Sequence, residues 1–265
     1  EGENRSDLVL SSAEVGDNGL IDADSITVLK RIEQPYRNHN GGFLVHAGNN
    51  SYLWGLGDGG SANDPHSHGQ DQSSPLGAIL LFEFRDNEVL AVLDNSTGDP
   101  YILHSGLRNP WRFDIGNSDD LWIADVGQNC WEEVNLVSLI ERANLGWSER
   151  EGFQEFQEEM SCSSTRDNGE NGLTDPLLAY SHENGNCSIT GGYWMDWGPE
   201  NLRDGYLYGD FCTGSIWILE ETDGEWNERY LGNSGGMIVG FGKGFNDEIL
   251  VFHWTGDIVM INGKT

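Results

Sequence analysis

The 265-residue chain carries 44 acidic and 14 basic residues, a formal net charge of −30, together with ten Trp, ten Phe, eight Tyr and 36 Gly. So acidic a chain repels phosphate backbones, which excludes a nucleic-acid footprint. No apolar run approaches the roughly 18 residues of a membrane-spanning helix. Only Lys30, Lys243 and Lys264 are lysines. Acid enrichment with lysine depletion points to a halophilic or marine protein kept soluble in screening salt, with an ordinary acidic exported protein as the alternative. The first residues, "EGENRSDLVL", are polar, so an export signal is expected upstream of Glu1.

In chain order the apolar pattern is strand-like. "SITVLKRI", "GGFLVHAG", "SYLWGLG", "GAILLFEF", "VLAVLD", "LWIADVG", "EEVNLVSL", "GYLYGDF", "SIWILEE", "MIVGFG", "EILVFHW" and "DIVMING" are short and rich in β-branched and aromatic residues. Gly, Asn or Asp bounds each run. A weak repeat lies beneath them: a first strand, a turn with Asn or Asp, a second strand centred on a Leu-aromatic pair, then a third strand. It recurs in "GGFLVHAGNNSYLWGLGDGG", "PWRFDIGNSDDLWIADVGQ", "TGGYWMDWGPENLRDGYLYGDFCTG" and "GMIVGFGKGFNDEILVFHWTGD". The expectation is an all-β chain, one β-propeller domain over 1–265, with blades opening near Asn40, Arg108, Ile189 and Met237. Residues 24–34 read as the outer strand of a preceding blade, of which 1–36 would be the remnant. Long loops are expected at 60–76 and 148–188.

The chemistry gathers where blades open. His39 precedes one first strand, and Asp58 ends the second strand of that unit in "GLGDGG". Arg108 and Asn109 stand directly before another first strand, with Pro110 fixing the turn. Asp125, Gly127, Gln128 and Asn129 end the next second strand. A polar pocket at one end of the channel follows, with a turn histidine bonding a blade-top carbonyl as the alternative reading of His39. His66 and His68 with Asp64 could bind a divalent metal or form a solvated loop. His182 either faces the same pocket or caps a strand. Trp54, Trp122, Trp131 and Trp217 sit at strand positions and read as blade core. Asn95 and Asn186 match glycosylation sequons, which are uninformative if the source is prokaryotic.

Cys130, Cys162, Cys187 and Cys212 contain no CxxC pair, which argues against structural zinc and for two disulfides formed in an oxidising compartment. Four cysteines allow three pairings. Cys187 and Cys212 flank adjacent strands of one unit and favour each other. Cys130–Cys162 would then tie down the second long loop.

These residues resemble the glucose/sorbosone dehydrogenase family, the soluble aldose sugar dehydrogenases that use pyrroloquinoline quinone (PQQ). Hedgehog-interacting protein and its relatives share that propeller. The matching runs are "QPYRNHNGG", "GLGDGGSANDP…GQ", "GLRNPWRF", "LWIADVGQNCWEEVN", "NLGWSEREG", "YSH…SITGGY" and "YLYGDFCTGSIW". The resemblance implies a six-bladed propeller of the quinoprotein glucose dehydrogenase type, N-terminally incomplete, with about four blades plus a strand present. His39 matches the general base that takes a proton from the sugar while hydride passes to PQQ, with Asp58 as its orienting acid. Arg108 and Asn109 match quinone contacts. Gly127 and Gln128 match backbone carbonyls that hold Ca2+, a Lewis acid beside the cofactor. A sugar substrate, an external electron acceptor and a periplasmic or extracellular location are implied with them. The chain departs from the pattern at "DFCTG", where glucose enzymes carry a lysine, and at "GGMIVGFG", where they carry arginines. Those losses favour the alternative, a non-catalytic binding module without PQQ.

Overall fold

The structure is a computed structural model that describes residues 7–94, 98–117, 119–159, 161–162, 166 and 172–261. Short β-branched and aromatic runs form strands throughout. Among the described residues, helix is limited to single 3-10 turns.

Strands β1 (Leu8–Ser12) and β2 (Thr27–Ile32) pair antiparallel as a hairpin. The first blade is β3 (Leu44–His46), β4 (Ser51–Leu56) and β5 (Ala78–Arg85), with β6 (Glu88–Ala91) and β7 (Ile102–Ser105) both pairing with β5. The second blade runs through β8 (Pro110–Ile115), β9 (Asp120–Asp125) and β10 (Trp131–Ser138). The chain then adds β11 (Ala143–Asn144), parallel to β7, and a small hairpin of β12 (Arg150–Glu151) and β13 (Gln154–Glu155). It returns as β14 (Leu178–Ser181) on the open edge of β10. The third blade is β15 (Ile189–Trp194), β16 (Gly205–Asp210), β17 (Ser215–Thr222) and β18 (Glu225–Asn233). The fourth is β19 (Ile238–Lys243), β20 (Ile249–His253) and β21 (Ile258–Ile261). First strands thus begin at Leu44, Pro110, Ile189 and Ile238, close to the expected openings.

Packing between blades explains why second strands read as continuous apolar runs. Side chains alternate across a strand, so a strand buried on both faces must be apolar at every position. In β9, Leu121 and Ile123 join Leu53, Ile79 and Phe113 of the first two blades, while Trp122 and Ala124 join Ile189, Tyr206 and Tyr208 of the third. In β16, Tyr206 and Tyr208 face backwards and Leu207 faces forwards to Ile238, Ile249 and Val251. Each such side chain contributes roughly 1.5–3 kcal/mol on burial. Trp122 stacks on Tyr206 at 4.9 Å and on Trp194 at 5.5 Å. Trp217 stacks on Tyr208 at 5.6 Å, and Trp54 and Trp122 are buried, as expected of blade core. The first strands β8, β15 and β19 lie side by side, as blades around a common channel require.

Both disulfides are present: Cys130–Cys162 and Cys187–Cys212, with Cα separations of 5.5 and 5.7 Å. No helix among the described residues is long and apolar enough to cross a membrane. Asn95 lies outside the described residues.

Candidate functional site

His39 sits on a loop fastened backbone to backbone onto the end of β4. Tyr36 N donates to Gly59 O at 3.1 Å, and Gly42 N donates to Gly55 O at 2.7 Å. Buried Gln34 donates to Asn38 O at 2.9 Å from inside the loop. Gly57 is required by this approach, since a Cβ there would collide with the His39 carbonyl. His39 itself takes a left-handed conformation, φ 55°. Its Nδ1 lies 2.7 Å from Asp58 Oδ1, with side chains 9% and 0% exposed. Asp58 is held from three sides: Oδ1 also accepts from Gly60 N at 2.9 Å, Oδ2 accepts from Trp147 Nε1 at 2.9 Å, and its carbonyl bonds His68 Nδ1 at 2.6 Å.

Arg108 and Asn109 form the adjoining wall. Arg108 O accepts from Asp58 N at 2.9 Å, and Asn109 Oδ1 accepts from Gly41 N at 3.1 Å, so the His39 loop is bonded to both blades. Asp125, at the end of β9, accepts from Arg108 N at 2.9 Å and Asn109 N at 2.7 Å. Burial raises Asp125 to about 7, against the pull of these two amides and of the Arg108 cation. The Arg108 guanidinium donates to Val126 O at 3.1 Å and lies 5.5 Å from the Trp147 ring centroid, while Nε is buried with no partner. Burial lowers its pKa, and Asp58, Asp125, Glu132 and Glu151 oppose the shift.

Gly127 and Gln128 lie just beyond Asp125, in a backbone nest around Glu151. Its Oε1 accepts from Gln128 N and Asn129 N, both at 2.7 Å, from Cys130 N at 3.0 Å and from Trp131 N at 3.3 Å. A trans peptide sets C=O opposite N–H, so the carbonyls of Gly127 and Gln128 are directed away from Glu151. Glu151 Oε2 is buried without a partner. Two consecutive carbonyls beside a surplus of buried carboxylate suit a hard cation. Gln128 is further fixed by a two-way bond with Asn63, 2.6 and 2.7 Å. Beside the nest, Glu132 Oε1 lies 2.7 Å from His182 Nε2, and Glu132 Oε2 accepts from Ile189 N at 2.8 Å. Against the lowering effect of burial, the Glu132 hydrogen bond and charge raise the His182 pKa, and burial raises Glu132.

The structure therefore brings His39, Asp58, Arg108, Asn109, Gly127 and Gln128 to one end of the first two blades. Cations are sparse on the remaining rim. Cys212 is bridged to Cys187, and Thr213 is bonded through N and Oγ1 to Asp210. Lys243 lies at the far end of β19 from this rim, exposed and paired with Asp247 at 3.4 Å. Among the described residues, no group of three His, Cys, Asp or Glu side chains is placed to hold a metal. Asp64 instead accepts from His68 N and Gly69 N, both at 2.9 Å, and His66 stacks on His68. Sequence reasoning missed Trp147, Glu132 and Glu151 as members of this site. Trp147 reaches Asp58 across 89 positions of chain, and the only available signal was the "NLGWSEREG" run that contains it together with Glu151.

The geometry defines a β-propeller of the glucose dehydrogenase type. All of this chain superposes on 76% of a solved glucose dehydrogenase, TM-score 0.77 at 15% identity. The PQQ-bound aldose sugar dehydrogenase of Streptomyces coelicolor matches over 95% of this chain and 69% of its own, TM-score 0.69 at 17% identity. The apo aldose sugar dehydrogenase of Escherichia coli matches over 96% and 77%, with the same TM-score and identity. The glucose/sorbosone dehydrogenase family model matches residues 1–207, and the chain belongs to that family. The HIPL2 protein of Arabidopsis thaliana is 30% identical over 215 residues, 71% of this chain. The chain spans 30% of the length of that curated relative.

Proposed function

We propose that this single propeller domain is the sugar-oxidising part of an exported aldose dehydrogenase, working in the periplasm or outside the cell and passing electrons to an external acceptor. The observation that carries the reading is the 2.7 Å contact between His39 Nδ1 and Asp58 Oδ1 in a nearly closed wall. An ionised Asp58 holds the proton on Nδ1 and leaves Nε2 as the basic atom. His39 would take the proton of a sugar hydroxyl on Nε2, and Asp58 would stabilise the imidazolium so formed. Trp147 and Gly60 keep the carboxylate from turning away. Arg108 and Asn109 would hold the cofactor, and the Gly127 and Gln128 carbonyls would face Ca2+. When bound, PQQ supplies the hydride acceptor and Ca2+ polarises its carbonyl. The oxygen donors suit calcium, and Arg108 is a cation that could meet a quinone carboxylate on the His39 side of the mouth.

A second reading, a propeller that binds a partner without PQQ, is favoured by the third and fourth blades. There Cys212 is tied up in a disulfide, and Lys243 lies at the far end of β19 from the mouth, paired with Asp247, so neither position supplies the mouth with a cation. Dye reduction by a panel of aldoses, with PQQ and Ca2+ added, separates the two. Aldose-dependent turnover supports the dehydrogenase. A folded protein with neither turnover nor calorimetric PQQ binding selects the binding module.

A further inference from the structure

Below the mouth, Arg112 lies among the first strands of all four blades. It stands on β8, its guanidinium carbon 4.4 Å from the Phe43 ring centroid at the entrance to β3 and 5.7 Å from that of Trp111. A Cβ at Gly191 on β15 would come within 3.0 Å of Arg112 Cβ, and one at Gly240 on β19 within 3.5 Å of its Nη2. Glycines on two neighbouring blades thus leave space along the length of this side chain. One residue touching four successive blades marks the channel axis.

The guanidinium has five N–H donors. Among the described residues none of them meets a protein acceptor or a carboxylate, although acids outnumber bases 44 to 14 in the chain. The Tyr193 phenol acts on it electrostatically, but that hydroxyl donates to Phe241 O at 3.4 Å. Asp114, two residues along the same strand, spends its oxygens on Ile115 N at 3.0 Å and Trp194 N at 2.9 Å. Burial lowers the Arg112 pKa, the signature of a cation losing hydration without gaining a counter-charge. Half-buried charge of this kind is costly unless something returns the lost hydrogen bonds.

We propose that the channel holds a small monovalent anion on the Arg112 guanidinium, a halide or a carboxylate of formate's size. The planar fork fits a carboxylate through two N–H groups and a halide between them. The surrounding net charge of −30 weighs against multivalent anions, which would repel the wall more strongly. The site is independent of the dehydrogenase reading and is tested on full-length protein without quinone or calcium.

Crystals soaked in bromide should show an anomalous peak within hydrogen-bonding distance of the Arg112 guanidinium. In solution at fixed ionic strength, replacing methanesulfonate by chloride or formate should raise the unfolding temperature along a saturating curve. Arg112→Gln should weaken the apparent affinity at least tenfold, and Arg112→Lys should weaken it less. Displacement of the bromide peak by formate extends the site to carboxylates, whereas its retention restricts the site to halides. The absence of a peak at Arg112 overturns the proposal, as does an identical anion response in Arg112→Gln. Should Arg112→Gln fail to fold, the bromide map of the unaltered protein decides alone.

Discussion

In the first two blades the aspartates at the second-strand ends, Asp58 and Asp125, adjoin ionisable side chains, His39 in one case and Arg108 in the other. In the third blade the corresponding Asp210 is spent on structure. It accepts from Cys187 N at 3.0 Å, Ser188 N at 3.1 Å, Thr213 N at 2.9 Å, the Thr213 hydroxyl at 3.1 Å and the Tyr180 hydroxyl at 3.1 Å. In the fourth, His253 takes the strand-end position, opposite Ile238. One repeat position therefore serves two ends. At Asp210 every partner is an amide or hydroxyl that the carboxylate staples in place; at Asp58 an imidazole reaches the carboxylate, which can orient chemistry. Repeat proteins allow this because each blade already has its core between the sheets, so strand ends are free to diverge.

Substitutions at the two kinds of aspartate should separate stability from turnover. Asp210→Ala strands three buried or half-buried amides and two hydroxyls, and denaturant unfolding should show a loss of about 3–5 kcal/mol. Replacing Cys187 and Cys212 together by Ser should cost roughly 3 kcal/mol in the same assay, from the loop entropy that the bridge removes. Asp58→Asn keeps the shape and one of the two acceptor oxygens and should cost only about 1–2 kcal/mol, while lowering sugar turnover at least about 100-fold. Equal destabilisation by Asp58→Asn and Asp210→Ala would erase the distinction.

A smaller effect is expected from pH. Burial raises Asp114 from 3.8 to about 6, so the fold favours the neutral acid. Its contribution is whole below pH 4 and is lost as the pH rises through about 6. His104, buried and neutral, works oppositely: its pKa falls from 6.5 to about 4, so its contribution is present above pH 6.5 and is lost as the pH falls towards 4. Asp114→Asn should remove roughly 2 kcal/mol of decline between pH 4 and 6 in a stability–pH series, leaving the decline from Asp125, raised to about 7, and the opposing His104 rise in place.

The blade count, the first strands and both disulfides were legible in the sequence because they depend on local pattern. Continuous apolar runs such as "LWIADVG" announce strands buried on both faces, and cysteines at the ends of neighbouring strands have few partners. Strand β18, Glu225–Asn233, was not legible: "EWNERYLGN" is a charged edge strand whose identity comes from its pairing with β17. Strand β14 is only four residues long and finds β10 after the long excursion of β12 and β13. His39 and Asp58 were visible through their glycine runs, since close backbone approach demands glycine. Trp147, Glu132 and Glu151 were not, because their partners are brought near only by the closing of blades. Arg112 also escaped notice, because its interest lies in what fails to surround it.

The most direct measurement pairs calorimetric PQQ binding, in the presence of Ca2+, with sugar-dependent dye reduction for the unaltered protein and His39→Ala. If His39 is the base, the variant binds PQQ with unchanged affinity and loses turnover by about 100-fold or more. Turnover retained within about threefold, with PQQ still bound, would contradict the role of His39.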